Sequence, residues 1–131
     1  MRLTQWCGNA WDIDMTTIRP ISIGIDKPPA VQLFVWEHLS ARESGNSLDS
    51  SAFNKIAIQL DGEWSTAKVN IEGSNDGEHW YTLIDSQDNH MQFSFPGLAD
   101  IGQASRYIRP TVVGGDETTD VTVYALCRGI R

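Results

Sequence analysis

Basic residues are scarce in this sequence, and those present are scattered. Ten Lys and Arg stand against seventeen Asp and Glu, for a formal net charge of −7. A chain of this charge with no Lys/Arg run repels phosphate backbones and anionic headgroups, so neither nucleic acid nor a membrane is expected as a partner. No stretch approaches the roughly 20 apolar residues of a membrane-spanning helix. Residues Met1 to Ala10 hold no apolar run of signal-peptide length. The expectation is a soluble protein made in a cytoplasm. Cysteine is nearly missing as well. Cys7 and Cys127 lie near opposite ends of the chain, and no CxxC exists. A zinc ribbon and a thioredoxin-like site are therefore not supported. A disulfide would require the two ends to meet; the working expectation is two reduced, largely buried thiols.

Catalytic and ligand motifs are missing too. His38, His79 and His90 are widely spaced and form no HExxH. There is no GxSxG, and neither cysteine has a histidine beside it in sequence. No glycine loop of the Walker or dinucleotide type occurs; Gly114-Gly115 lies between strand-like segments. The acidic turn Asn75-Asp76-Gly77-Glu78 resembles a fragment of a calcium loop but lacks the other ligand positions of an EF-hand. Asp116, Glu117 and Asp120 are better read as loop carboxylates than as a cation site. We expect no catalytic residues, no bound metal and no cofactor.

What the sequence does contain is strand pattern. Its 131 residues fit one domain, with 40% hydrophobic residues to form a core. Residues 1–15 show no clean periodicity and read as an extended N-terminal arm, with the domain itself spanning 16–131. From Ile18 to Ile25, isoleucines recur at a spacing of two. Val31 to Glu37 is apolar at successive positions, the mark of a strand covered on both faces. Ala41 to Ser51 is rich in Ser, Asn, Gly and Asp and reads as a mobile surface loop.

Lys55–Asp61 and Ala67–Glu72 alternate strictly, as antiparallel strands with one wet face do. Trp80–Ile84, the run Met91, Phe93, Phe95, then Arg106–Val113 and Val121–Arg128 complete about eight strands. Residues 98–104 have room for one or two helical turns, and no amphipathic helix of ordinary length appears. Pro110 removes a backbone donor, which places its strand at an edge or a bulge. The architecture expected is all-β: a two-sheet antiparallel sandwich of jelly-roll or discoidin-like type.

The sharpest local signal is Ser74-Asn75-Asp76-Gly77. Its polar side chains can bond nearby amides, and Gly77 can take the positive φ of a hairpin turn. Gly114-Gly115-Asp116-Glu117-Thr118-Thr119 reads as a second hairpin turn joining the last two strands. Five tryptophans are many for this length. Trp80, just past the first turn, is expected to pack beneath it. Trp64, in Asp61-Gly62-Glu63-Trp64-Ser65, can be either exposed or buried. Trp6, Trp11 and Trp64 are the candidate protein-contact residues.

Two segments resemble known families. Val69 to Trp80, with its Ser-Asn-Asp-Gly turn and following tryptophan, resembles a hairpin of discoidin-like jelly rolls. Ser105-Arg106-Tyr107-Ile108-Arg109 resembles a later strand of the same modules. Together with the Gly114–Asp120 turn, the pair is also similar to small tailed-phage virion proteins. The resemblance covers roughly residues 55 to 128. It implies a non-enzymatic virion structural protein on the capsid exterior. Such a cement or decoration protein would contact a major capsid protein or other virion protein and form a homo-oligomer, a dimer or a trimer. Two alternatives stand beside it: a neck or tail accessory protein, and a carbohydrate-binding module with Trp64 in a shallow site.

Overall fold

The computed structural model describes residues 18–22 and 31–129. The expected arm, with Trp6, Trp11 and Cys7, lies outside the described residues. Ten strands follow in order: β1 (Ile18–Ser22), β2 (Val31–Leu39), β3 (Leu48–Asp49), β4 (Lys55–Glu63), β5 (Lys68–Ser74), β6 (Tyr81–Thr82), β7 (Gln92–Phe93), β8 (Gly97–Asp100), β9 (Tyr107–Val113) and β10 (Asp120–Arg128). One sheet runs β1-β2-β10-β4-β8; the other runs β3-β9-β5-β6, with β7 also paired to β5. Every strand pair is antiparallel. The two-sheet β-sandwich expected from the pattern is the fold observed.

The alternation in the sequence decides which side chains enter the core. Val121, Val123, Ala125 and Cys127 on β10, Ile58 and Leu60 on β4, and Ala67, Val69 and Ile71 on or beside β5 form one buried cluster. Phe34 and Trp36 on β2 and Ile108 and Val112 on β9 join it. Burial of each Val, Ile, Leu or Phe among these stabilises the fold by roughly 1.5–3 kcal/mol. Trp36 satisfies its indole by donating Nε1–H to the Asn46 carbonyl at 2.8 Å.

Several expectations are corrected. Residues 98–104 form no helix: Gly97–Asp100 pairs with β4, and Ile101 bridges to Asp85. Ala41–Ser51 is no free loop but runs beside β9. The Gly45 amide donates to the Pro110 carbonyl, Ser50 to Arg106, and the Val112 amide to Glu43. Leu48 and Ser50 are buried there. Pro110 lies in β9, an interior strand of its sheet. Its carbonyl points toward Gly45, so its missing N–H faces the same irregular stretch, where no ladder bond is lost. Phe95, expected to continue an inward alternation, is exposed.

The Gly114–Thr119 segment is a turn but not a hairpin, because β9 and β10 belong to different sheets. It is an arch between layers. Gly114 and Gly115 adopt φ of +73° and +97°, values that glycine takes without strain. Asp116 caps the arch through the Thr118 amide and hydroxyl and accepts from Ser65 Oγ at 2.7 Å. Thr119 Oγ1 takes the Asp116 amide and donates to the Trp64 carbonyl. The arch is thus tied to the β4–β5 crossover, where the chain also changes sheet.

Candidate functional site

The turn at Ser74–Gly77 is held from within. Asp76 Oδ1 accepts the amides of Glu78 and His79 at 2.8 and 2.9 Å. Ser74 Oγ accepts from the Gly77 amide and donates to Asp76. Asp76 Oδ2 pairs with His79 Nδ1 at 2.8 Å. The His79 amide and ring, the Glu78 amide and Ser74 hold the Asp76 carboxyl well below its usual 3.8. Serine, aspartate and histidine meet here, but in the wrong order for nucleophilic catalysis. The aspartate stands between serine and histidine, so no imidazole faces the hydroxyl to take its proton. Asn75 behaves differently from its neighbours: its Oδ1 accepts the Arg106 amide, 31 residues away in sequence. This bond latches the turn to the loop before β9.

That latch borders a hollow of about 500 Å³ at one end of the sandwich. Phe53, Ile56, Ile101 and Ile108 supply apolar walls; Asn54, Asn75, Gln103 and Arg106 supply polar ones. Phe53 meets Phe34 edge-on at 6.0 Å. Most of the polar lining is already committed. Gln103 Oε1 accepts the Ile84 amide, Ser50 Oγ donates to the Ser105 carbonyl, and Ser105 Oγ donates to the Tyr107 carbonyl. Arg106 lies exposed, its guanidinium 4.9 Å from the Tyr107 ring centre. The hollow offers shape and one cation, and its loops hold each other in place. No motif announces it, because three segments distant in sequence assemble it.

A second polar cluster lies on the outer face of the β5–β9 pair. Glu72 Oε1 accepts both Arg109 Nε and Thr111 Oγ1 at 2.9 Å. Arg109 also stacks on Trp80, with 4.2 Å from its guanidinium carbon to the ring centre. Trp80 is therefore half-buried against an arginine, not packed in the core beneath the turn as expected. Trp64 is corrected in the opposite sense. It is 5% exposed within the core, its Nε1–H donated to the Asp61 carbonyl at 3.1 Å. It offers no platform to a protein or a sugar. The arch that follows β9 bonds the Trp64 backbone carbonyl through Thr119 Oγ1, and this long-range contact leaves no trace in the local sequence.

The histidines occupy separate places: His38 pairs with Asp120 at 3.0 Å, His79 with Asp76, and His90 bridges to Ile84 by its backbone. Among the described residues no three His, Cys, Asp or Glu side chains are grouped to hold a metal ion. Asp116 and Asp120, considered together from the sequence, are engaged with different partners. Cys127 is a free, buried thiol, and burial pushes its pKa up to about 12.

No protein-family model matches the sequence, and comparison with curated proteins finds no match. Among solved structures, the crystal structure of the SPBc2 prophage-derived protein YomS aligns with a TM-score of 0.56. The alignment covers 81% of this chain and 98% of that one, at 13% sequence identity. The likeness is one of fold.

Proposed function

We propose that this chain is a phage virion structural protein, a cement or decoration protein bound to the outside of the capsid. The observation that carries the reading is the shared fold with a prophage-derived protein, which aligns over nearly its whole length. The strand and turn resemblance over residues 55 to 128 points the same way. The acidic surface, with its net charge of −7, suits an outward-facing shell component.

The mechanism is mass action. A protein that binds assembled subunits better than free ones stabilises the assembled state by its binding free energy. The contacts are made by exposed apolar side chains and by residues 1–15, where Trp6 and Trp11 are the anchors. Purified particles made with and without the gene test this. Mass spectrometry is expected to find the chain in the particles, and particles lacking it are expected to burst at lower temperature. Absence of the chain from purified particles would overturn the reading. Labelling in electron micrographs separates the capsid from the neck and tail. A variant lacking residues 1 to 14 is expected to melt cooperatively yet occupy fewer capsid sites; equal occupancy would sink the role given to the arm.

A further inference from the structure

The hollow beside Asn75 differs in charge from the chain that forms it. Seventeen Asp and Glu give the protein its net charge of −7, yet none of them lines this hollow. Its polar lining is made of hydroxyl and amide side chains and Arg106. Arg106 makes no ion pair among the described residues. Asp49 feels its charge, but bonds the Ser51 amide and hydroxyl. The guanidinium instead rests 4.9 Å from the Tyr107 ring centre.

Backbone groups decide which way the lining side chains face. A main-chain N–H can only donate, so Gln103 turns its Oε1 to the Ile84 amide and keeps Nε2 to donate elsewhere. Asn75 is oriented likewise by the Arg106 amide and keeps Nδ2. Ser50 and Ser105 are set the opposite way. Each has given its proton to a carbonyl and retains lone pairs that accept. Beneath these groups the surface is apolar. Ile108 belongs to the core, and Phe53, Ile56 and Ile101 pack against it while staying partly exposed.

We propose that this hollow binds the C-terminal end of a peptide whose last side chain is branched and aliphatic. The terminal carboxylate takes the spare donors of Arg106, Gln103 and Asn75 in charge-assisted bonds. The last side chain covers Ile56 and Ile101, and the last peptide N–H donates to a serine hydroxyl. A sugar matches less well. It presents many hydroxyl donors, which carboxylates accept best, and it stacks on flat aromatic faces. Here no carboxylate is present, three of the apolar walls are isoleucines, and Phe53 is engaged with Phe34.

Size and preorganisation agree with such a ligand. A volume of about 500 Å³ falls in the range of roughly 300–1,000 Å³ usual for small-ligand sites. The Ile101 amide donates to the Ile56 carbonyl, Gly102 to Ile84, and Ser50 to Arg106. With its loops already pinned, the site loses little freedom on binding. The inference does not rest on the virion reading, because it concerns the free protein.

Nuclear magnetic resonance of the nitrogen-15-labelled full chain is the test. Acetyl-Gly-Gly-Leu with a free carboxylate is expected to shift amide signals of residues 50–56 and 101–108. The same peptide ending in a carboxamide is expected to bind at least about tenfold more weakly, as the loss of a charge-assisted bond implies. Arg106→Gln, at an exposed position, is expected to weaken the free-acid peptide to the same degree. Gln103→Glu keeps an oxygen for the Ile84 amide but replaces a donor with a negative charge, and is expected to abolish the shifts in a folded protein. No response to the free-acid peptide at millimolar concentration would overturn the proposal. Equal binding of acid and carboxamide would overturn the part given to Arg106, Gln103 and Asn75, and the proposal with it. Tighter binding of N-acetylneuraminic acid at the same signals would overturn the peptide in favour of an acidic sugar.

Discussion

Asp76 shows how much of this protein's local order rests on single carboxylates. It organises the turn after β5 through two backbone amides and two side chains. Asp85 and Asp116 do similar work, with carboxyls lowered chiefly by the Asn89 amide and by Ser65 respectively. Asp49 is lowered too, mainly by the Ser51 hydroxyl. A carboxyl depressed in the folded state contributes stability that is fully present above its unfolded value of 3.8. That contribution is lost as pH falls toward the lower folded value. The melting temperature by calorimetry is therefore expected to hold steady down to about pH 5 and to fall below about pH 4. Asp76→Asn is expected to melt lower at neutral pH and to lose less on acidification. Cys127 offers a second test at this scale. In a Cys7→Ser background its thiol is expected to ignore an aromatic disulfide reagent at pH 8 until denaturant is added, because burial both shields it and keeps it protonated.

Among the strands, the sequence was most readable where one face is wet and one dry. In β4, β5 and β10 the inward residues follow from alternation alone, and each lies where the pattern places it. Truncating Leu60 to Ala is expected to destabilise by about 2–5 kcal/mol. Gln59→Ala, one position away and exposed, is expected to stay within about 0.5 kcal/mol; urea unfolding measures both. Short strands were unreadable because two to four residues cannot display a period, which is why residues 98–104 were open to a helical reading although Gly97–Asp100 is a strand. Ala41–Ser51 misled for another reason. Its polar composition is that of a loop, yet its backbone is needed to pair the β9 edge around Pro110. Gly45 shows how close that pairing is. A Cβ there would sit 2.5 Å from Trp36 Cδ1 and 3.0 Å from Pro110 Cδ. Gly45→Ala is expected to cost about 1–3 kcal/mol through overpacking, read as a lower urea midpoint with an unchanged slope.

For the whole molecule, turn chemistry did not reveal topology. Gly114-Gly115 predicts a reversal correctly, but the same residues serve a hairpin within one sheet or an arch between two. Only the identity of the partner strand separates these, and β10 finds its partners in β2 and β4, far back along the chain. The end hollow was illegible on the same grounds, and so was the burial of Trp64 in the core. The resemblance over residues 55 to 128 located the turn and the β9 strand, which are local.

The position of β10 has a consequence for how the protein is made. All the other described strands leave the ribosome before it, yet it occupies the middle of its sheet, with β2 on one side and β4 on the other. Until it emerges, those two have no common neighbour, and Phe34, Ile58 and Leu60 lack their cross-strand partners Ala125 and Val123. The nascent chain must wait, with apolar segments of β2 and β4 unpaired, for this strand. Synthesis halted at residue 119 therefore yields not a slightly shorter domain but a substrate for chaperones and proteases.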